Sequence, residues 1–395
     1  MKKLLKWLIS ALYGLVMIEV VVMISPFAFY WYALYAPTLQ RLHHSRVTAW
    51  LEAFFLPHSV ITTSAVLEFL RWQIGAYAFG LGLLAALICG VQVYTTRLLR
   101  KKAAISWMYK YVRHPFYLSL AVSGLGLLTI WPRIMILVFF LGMLFLYFFL
   151  ARFEEKQVEA LDPTYADYRR RTGMFLPGNP GGRLFQALFG WIRNRALAEA
   201  LASVVIVVLV LGGAVTVRRY TIAHAATALM PQERTLAIAV WPIPPDQIRE
   251  VASAAQRDPR VRAALASAPG AAFTAHLLPE DYGMVNMFAD VGTDHRMFSK
   301  VSVHRLASIV GFAFPFFAHH QRNRIMGSPQ DDYKVIFSRV DELGNSQLPV
   351  ERVTDLSAKM TPVVIAHVSG EGPTVESVTI PPARSFWGDI TMPMF

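Results

Sequence analysis

Residues 109–177 read YKYVRHPFYLSLAVSGLGLLTIWPRIMILVFFLGMLFLYFFLARFEEKQVEALDPTYADYRRRTGMFLP. Two apolar runs are separated by Pro132 and Arg133, and Arg113, His114, Glu154 and Glu155 fall at the same end of both. A lone charge at the end of an apolar helix is a simple anchor in the headgroup layer. Both signs of charge, a histidine and several tyrosines at one end of one helical hairpin point instead to a site for a polar ligand.

The chain around this stretch is apolar. Mean hydropathy is +0.41 and only 16% of the 395 residues are charged, which suits a membrane protein better than a soluble one. The net charge of +12 fits a face turned toward anionic lipid. No basic stripe with interleaved aromatics argues for nucleic acid, so none is expected as a partner. The single cysteine, Cys89, excludes an internal disulfide and reads as a small core residue.

Five apolar stretches are long enough to be considered spans: 8–34, 74–95, 116–131, 134–151 and 198–217. The first follows Lys2, Lys3 and Lys6 and is too long for a signal peptide. Glu19 inside it should face protein rather than lipid. Segment 36–72 carries Glu52, Pro57, His58 and Glu68 and reads as an interfacial or re-entrant helix pair. Lys and Arg concentrate before the first span, in 97–115 and in 152–197, while Arg41, Arg46, Arg71 and Arg133 lie on the other side. The expected orientation therefore has the N-terminus and the polar end of the hairpin in the cytoplasm. Residues 183–195, RLFQALFGWIRNR, read as an amphipathic surface helix after the GNPGG turn.

From Tyr220 the composition shifts to Pro, Asp, Ser and Thr. Residues 246–267 read as helix, and DYKVIFSRV, TPVVIAHVS and TVESVTI read as strands. The apolar segment 304–320, interrupted by Pro315, reads as a buried or membrane-dipping helix. The expected fold is thus an α-helical polytopic membrane protein of about five transmembrane helices with a C-terminal α+β water-exposed domain. Its parts are a helical domain at 1–197, a last transmembrane helix at 198–219 and an extracytoplasmic domain at 220–395.

Pro115 suits the first turn of a helix, where its missing N–H costs nothing. The free N–H groups of that turn, with Arg113 and His114, favour an anion. Glu154 and Glu155, read as lying at a helix C-terminus, are unfavourable by the dipole argument and ask for a reason. They suit the hydroxyls of a ribose or an ammonium. Tyr117, Tyr165 and Tyr168 offer faces for a purine or a cation. A ligand with a carboxylate, an ammonium, a ribose diol, an adenine and a cation meets all of these groups, and S-adenosylmethionine has all five. No histidine spacing matches a metal motif, so no metal is expected.

Residues 109–177, together with the preceding span (about 74–177 in all), resemble the membrane methyltransferase family that includes isoprenylcysteine carboxyl methyltransferases and phospholipid methyltransferases. The resemblance rests on Tyr109, Arg113-His114-Pro115, Tyr117, Gly124, Gly126, Trp131, Glu154-Glu155, Tyr165, Tyr168, Thr172-Gly173, Phe175 and Pro177. It implies an S-adenosylmethionine site at cytoplasmic helix ends, lined by Arg113, His114, Pro115, Tyr117, Glu154, Glu155, Tyr165 and Tyr168. Arg113, His114 and Glu155 would be catalytic, with His114 or Glu155 taking the proton from an amine or thiol acceptor, and a lipid or isoprenoid-type acceptor would arrive from the bilayer. Three positions depart from the family pattern: Ser119, Val158 and Ser106-Trp107-Met108. Residues 220–395 have no counterpart in it.

The expected function is an integral-membrane methyltransferase of a bacterial inner membrane, with the C-terminal domain in the periplasm. The alternative is a non-catalytic accessory subunit of a respiratory or photosynthetic membrane complex, contacting protein partners through 220–395 and its aromatic tail PPARSFWGDITMPMF. Arg113 or Glu155 plugged by another side chain would favour the alternative.

Overall fold

The computed structural model describes residues 42, 45, 47–58, 60–100, 107–161, 165–240, 243–280, 332–342, 348–356, 358–370 and 372–381. The sequence readings for 8–34, 304–320 and the C-terminal tail lie outside the described residues. The chain forms two compact units. One draws on Arg71–Trp131 and Ile136–Val215, and the other on Pro132–Met135 and Thr216–Phe395 together with residues up to Leu70.

The first unit is helical. Helix α1 (Ala76–Arg100) is preceded by a π-helical stretch, Phe69–Gly75, and by one α-turn capped by Ser64, so the apolar helix runs without a break from Ala65. Glu68 and Arg71 therefore sit in the first turns of a long helix whose start, Ala65, lies nine residues before the expected start of this span. Helix α2 (Pro115–Ile130) begins on Pro115 and ends where Trp131 donates to Leu127 O at 2.8 Å, just before Pro132. Its 16 residues extend about 24 Å, short of the roughly 30 Å hydrocarbon core. Helix α3 (Ile134–Leu161) has 28 residues, ten more than the expected span. Helices α4 (Tyr165–Arg171) and α5 (Pro180–Phe189) precede α6 (Arg195–Ala223). Ala65–Thr96, Ile134–Ala160 and Arg195–Ala223 are long and apolar enough to cross a membrane. Among the described residues this gives three such helices plus the shorter α2.

Glycine lets α1 and α2 approach closely. A Cβ on Gly126 would overlap the backbone of Phe79 and Gly75, and one on Gly82 would overlap that of Ser123. Ser123 Oγ donates to Phe79 O at 3.1 Å across the same contact. Small residues let the helix backbones come close enough for direct van der Waals and polar contact. Helix α3 meets α2 through larger side chains, with the Tyr117 and Tyr147 rings stacked at 5.3 Å.

The second unit is a six-stranded sheet in sequence order, β1 (Thr227–Met230), β2 (Thr235–Ala239), β3 (Ala272–Pro279), β4 (Asp332–Glu342), β5 (Ala358–Ser369) and β6 (Val375–Thr379). All neighbours are antiparallel except β2 and β3, whose parallel pairing is bridged by α7 (Pro245–Arg257) and α8 (Pro259–Leu265). The expected single helix over 246–267 is broken at Asp258-Pro259. Pro259 takes the first position of α8, and Asp258 caps it.

Alternation in β2 and β3 divides the core. Ala237, Ala239, Phe273, Ala275 and Leu277 face Ile248, Val251, Ala252 and Val261 of the helices. Ile238, Leu278, Ile336 and Ile365 pack on the other face with Leu348, Val350 and Val353. The expected α+β fold is present here, with three strands, β1 to β3, beyond those read from sequence.

The segment read as an interfacial helix pair is different. After a 3-10 turn at Ala49–Glu52 the chain is irregular, and Ala53, Phe54, Phe55 and Leu56 are buried. Phe55 N donates to Pro132 O and Ile134 N to Ala53 O, both at 2.9 Å. Arg218 donates to Phe54 O and Thr354 O, and Thr221 Oγ1 donates to Phe55 O at 2.9 Å. The Phe54 ring stacks on His58 at 4.5 Å and lies 4.9 Å from the Arg133 guanidinium. Backbone carbonyls that a helix would have satisfied are satisfied here by side chains from distant segments.

Candidate functional site

The turn before α2 is fixed by backbone bonds to the segment after α4. Arg113 N donates to Gly173 O at 2.9 Å and His114 N to Met174 O at 3.0 Å, next to a parallel bridge between Val112 and Gly173. Gly173 is required by close approach, because a Cβ there would overlap Leu176 O. This pairing brings residues some 60 positions apart in sequence to the N-terminus of α2.

The polar side chains converge at the same place. Arg113 Nε donates to Glu155 Oε1 at 2.6 Å, and His114 Nε2 lies 3.1 Å from the same oxygen. The Arg113 Nη1 group also donates to Arg169 O at 2.9 Å and to Thr172 O. Arg169 Nε lies 3.8 Å from Glu155 Oε2. The Glu155 and Arg113 side chains are only 6% and 8% exposed, so this ion pair is internal. Arg113 and His114 thus already have an anionic partner within the chain, Glu155.

Glu154 differs from its neighbour. Its Oε1 accepts from Tyr117 Oη at 2.9 Å, and its Oε2 lies 3.7 Å from His114 Nδ1. The side chain is 22% exposed, so it retains a face toward solvent. Both glutamates lie inside α3, with six further residues before its end at Leu161. The dipole penalty expected at a helix C-terminus is therefore weaker than the sequence implied, because the effect fades beyond the last turn.

The tyrosines divide as well. Tyr117 is buried between its Glu154 bond and the Tyr147 ring. Tyr168 donates to Tyr109 O, which ties α4 to the turn before α2. Tyr165 is buried, its ring 5.4 Å from that of Tyr168 and tilted by 56°. Burial, with the Glu155 carboxylate adding to it, pushes the Tyr165 hydroxyl well above its usual value. Burial pushes that of Tyr168 up to about 12. Both stay protonated donors at neutral pH. Pro115 contributes by starting α2.

The structure thus brings Arg113, His114, Tyr117, Glu154 and Glu155 together as two hydrogen-bonded groups, Arg113 and His114 on Glu155 and Tyr117 on Glu154, linked by the 3.7 Å approach of His114 to Glu154, with Tyr165 and Tyr168 at the edge. Two participants escaped the sequence reading. Tyr147 stands seven residues before Glu154, two helical turns away on the same face, which is a legible signal. Arg169 reaches Glu155 only because 165–171 folds back, and nothing in its RRR context marks it. His58 and His276 lie in the second unit: His58 against Phe54, and His276 buried in β3. Comparison of the chain with family models, with curated proteins and with solved structures gives no match.

Proposed function

We propose that the chain is an integral-membrane methyltransferase that uses S-adenosylmethionine and methylates a lipid or isoprenoid-type acceptor. The observation that carries this reading is the convergence of Arg113-His114, Tyr117 and Glu154-Glu155 from two apolar helices at the N-terminus of α2. The partly exposed Glu154 carboxylate, with His114 Nδ1 and the Tyr117 hydroxyl beside it, fits an ammonium or ribose hydroxyls. Bound S-adenosylmethionine would supply an electrophilic methyl group for in-line displacement. The chain's part is to hold the reactants in line, which can supply much of the barrier reduction.

The buried pairing of Arg113 with Glu155 assigns these two a positioning role, and Glu154 and His114 become the groups that meet the ligand. His114 is the base for an amine or thiol acceptor, and a carboxylate acceptor needs none. The charge bias of the sequence supports a bacterial inner-membrane protein with this site at the cytoplasmic face and the sheet unit in the periplasm.

A second reading is favoured by the same ion pair. Arg113 and Glu155 already satisfy each other, as they would in a scaffold that has no ligand to hold. The sheet unit has a core on both faces, and residues 220–395 have no counterpart in the methyltransferase resemblance. On this reading the chain is an accessory subunit of a larger membrane complex. Incubating the full chain in native lipid with methyl-labelled S-adenosylmethionine separates the two. Label in extracted lipid that disappears in Glu154→Gln supports the enzyme. No label from a folded preparation supports the subunit.

A further inference from the structure

Helix α5 buries none of its residues. Leu184, Leu188 and Trp191, at positions i, i+4 and i+7, form one exposed apolar stripe, and Trp191 is 79% exposed. Trp191 Nε1 donates to Leu188 O at 2.9 Å, which folds the indole against the last turn of the helix. The neighbouring face is half-buried, with the Phe185 and Phe189 rings 5.7 Å apart. The exposed stripe is therefore not a misassigned core face.

The setting is basic. Between Asp167 and Glu199 the sequence holds six arginines and no acidic residue. Arg183 and Arg193 flank the stripe with no ion-pair partner among the described residues. Arg195 pairs with Glu199 at 3.0 Å at the start of α6, where Asn194 Oδ1 accepts from Ala196 N and Leu197 N. Helix α6 is long and apolar enough to cross a membrane. The five residues between α5 and α6 reach at most about 18 Å. A spanning α6 therefore holds α5 at the depth of the headgroups, where an apolar stripe with a tryptophan and flanking arginines is stable.

We infer that α5 is an interfacial helix that docks on anionic phospholipid, with Leu184, Leu188 and Trp191 below the headgroups and Arg183 and Arg193 on their phosphates. The inference rests on the membrane placement proposed above and is independent of methyl transfer. Each arginine near an anionic surface favours the bound state by about fivefold. The partner is thus selected by charge as well as by apolar area.

The test uses the full chain in bilayer discs of phosphatidylcholine and phosphatidylglycerol, with one or the other lipid brominated to quench tryptophan. The difference between wild type and Trp191→Phe isolates the signal of Trp191. Quenching of that signal several-fold stronger by the brominated anionic lipid is expected. In Arg183→Gln/Arg193→Gln the preference should vanish while quenching by both lipids persists. Equal quenching by the two lipids in the wild type, or none, overturns the inference, and a partner protein would then be the occupant of the stripe. The tryptophans left in Trp191→Phe report separately on insertion. If they too escape quenching, the membrane placement itself fails.

Discussion

Replacing Glu155 by alanine removes the carboxylate from a pair whose side chains are 6% and 8% exposed. The Arg113 guanidinium would keep its bonds to the carbonyls of Arg169 and Thr172 but lose its anionic partner at 2.6 Å, and His114 Nε2 would lose an acceptor at 3.1 Å. Breaking a buried ion pair by deleting one member costs about 3–5 kcal/mol, because the other charge stays behind. At about 2–4 °C per kcal/mol for a unit of this size, the unfolding midpoint should fall by roughly 10 °C. Glu154→Ala loses one hydroxyl hydrogen bond from a side chain that is 22% exposed, and should cost only about 1–2 kcal/mol. Replacing Arg113 and Glu155 together by methionine removes both charges and should restore most of the loss. The assay is thermal unfolding of the purified chain in detergent, followed by far-UV circular dichroism. A Glu155→Ala midpoint within about 2 °C of wild type, or a Glu154→Ala loss as large as that of Glu155→Ala, would refute the assignment of Glu155 as the internal clasp.

Other positions make separate predictions. Burial holds the His276 pKa at about 3 against an ordinary 6.5, so only the unfolded chain binds the proton between those values. The stabilisation from keeping His276 neutral is complete above pH 6.5 and is lost as pH falls toward 3, by about 1 kcal/mol per pH unit, and His276→Leu should flatten that part of a urea-unfolding profile. Gly126→Val drives a side chain into the backbone of Phe79 and Gly75 and should cost about 1–3 kcal/mol or splay α1 from α2, read as lost thermal stability. Asp258→Ala removes the cap that accepts from Arg260 N at 2.8 Å and should cost about 0.5–2 kcal/mol in denaturant unfolding.

The apolar helices were legible because their hydropathy is a property of each residue, and Pro115 and Pro132 mark the ends of α2 directly. Helix α3 was read too short because Arg152, Glu154 and Glu155 look like an exit from a bilayer, although a helix continues wherever no breaker intervenes. Strands β4 to β6 were visible through their Val and Ile content. Strand β2 was not, since TLAIA is short and alanine-rich, and its alanines are there so that α7 can lie close. In the site, the residues were legible but their roles were not. Nothing in the pair Glu154-Glu155 says which carboxylate turns inward to Arg113 and which keeps a face to solvent. That is decided by the rotation of α3 and by the 172–174 segment, whose backbone carbonyls accept from Arg113 and His114.

This division of labour also decides how the ligand site should be probed. Glu155→Ala confounds lost binding with lost structure, whereas Glu154→Gln keeps the fold and removes the charge that would meet the ligand. The most direct test is calorimetric titration of S-adenosylmethionine into the purified full chain in detergent, with Glu154→Gln alongside. The account predicts saturable binding to the wild type that weakens by about tenfold or more in the variant. Absence of binding at millimolar S-adenosylmethionine, in a preparation whose thermal unfolding shows it folded, would contradict it.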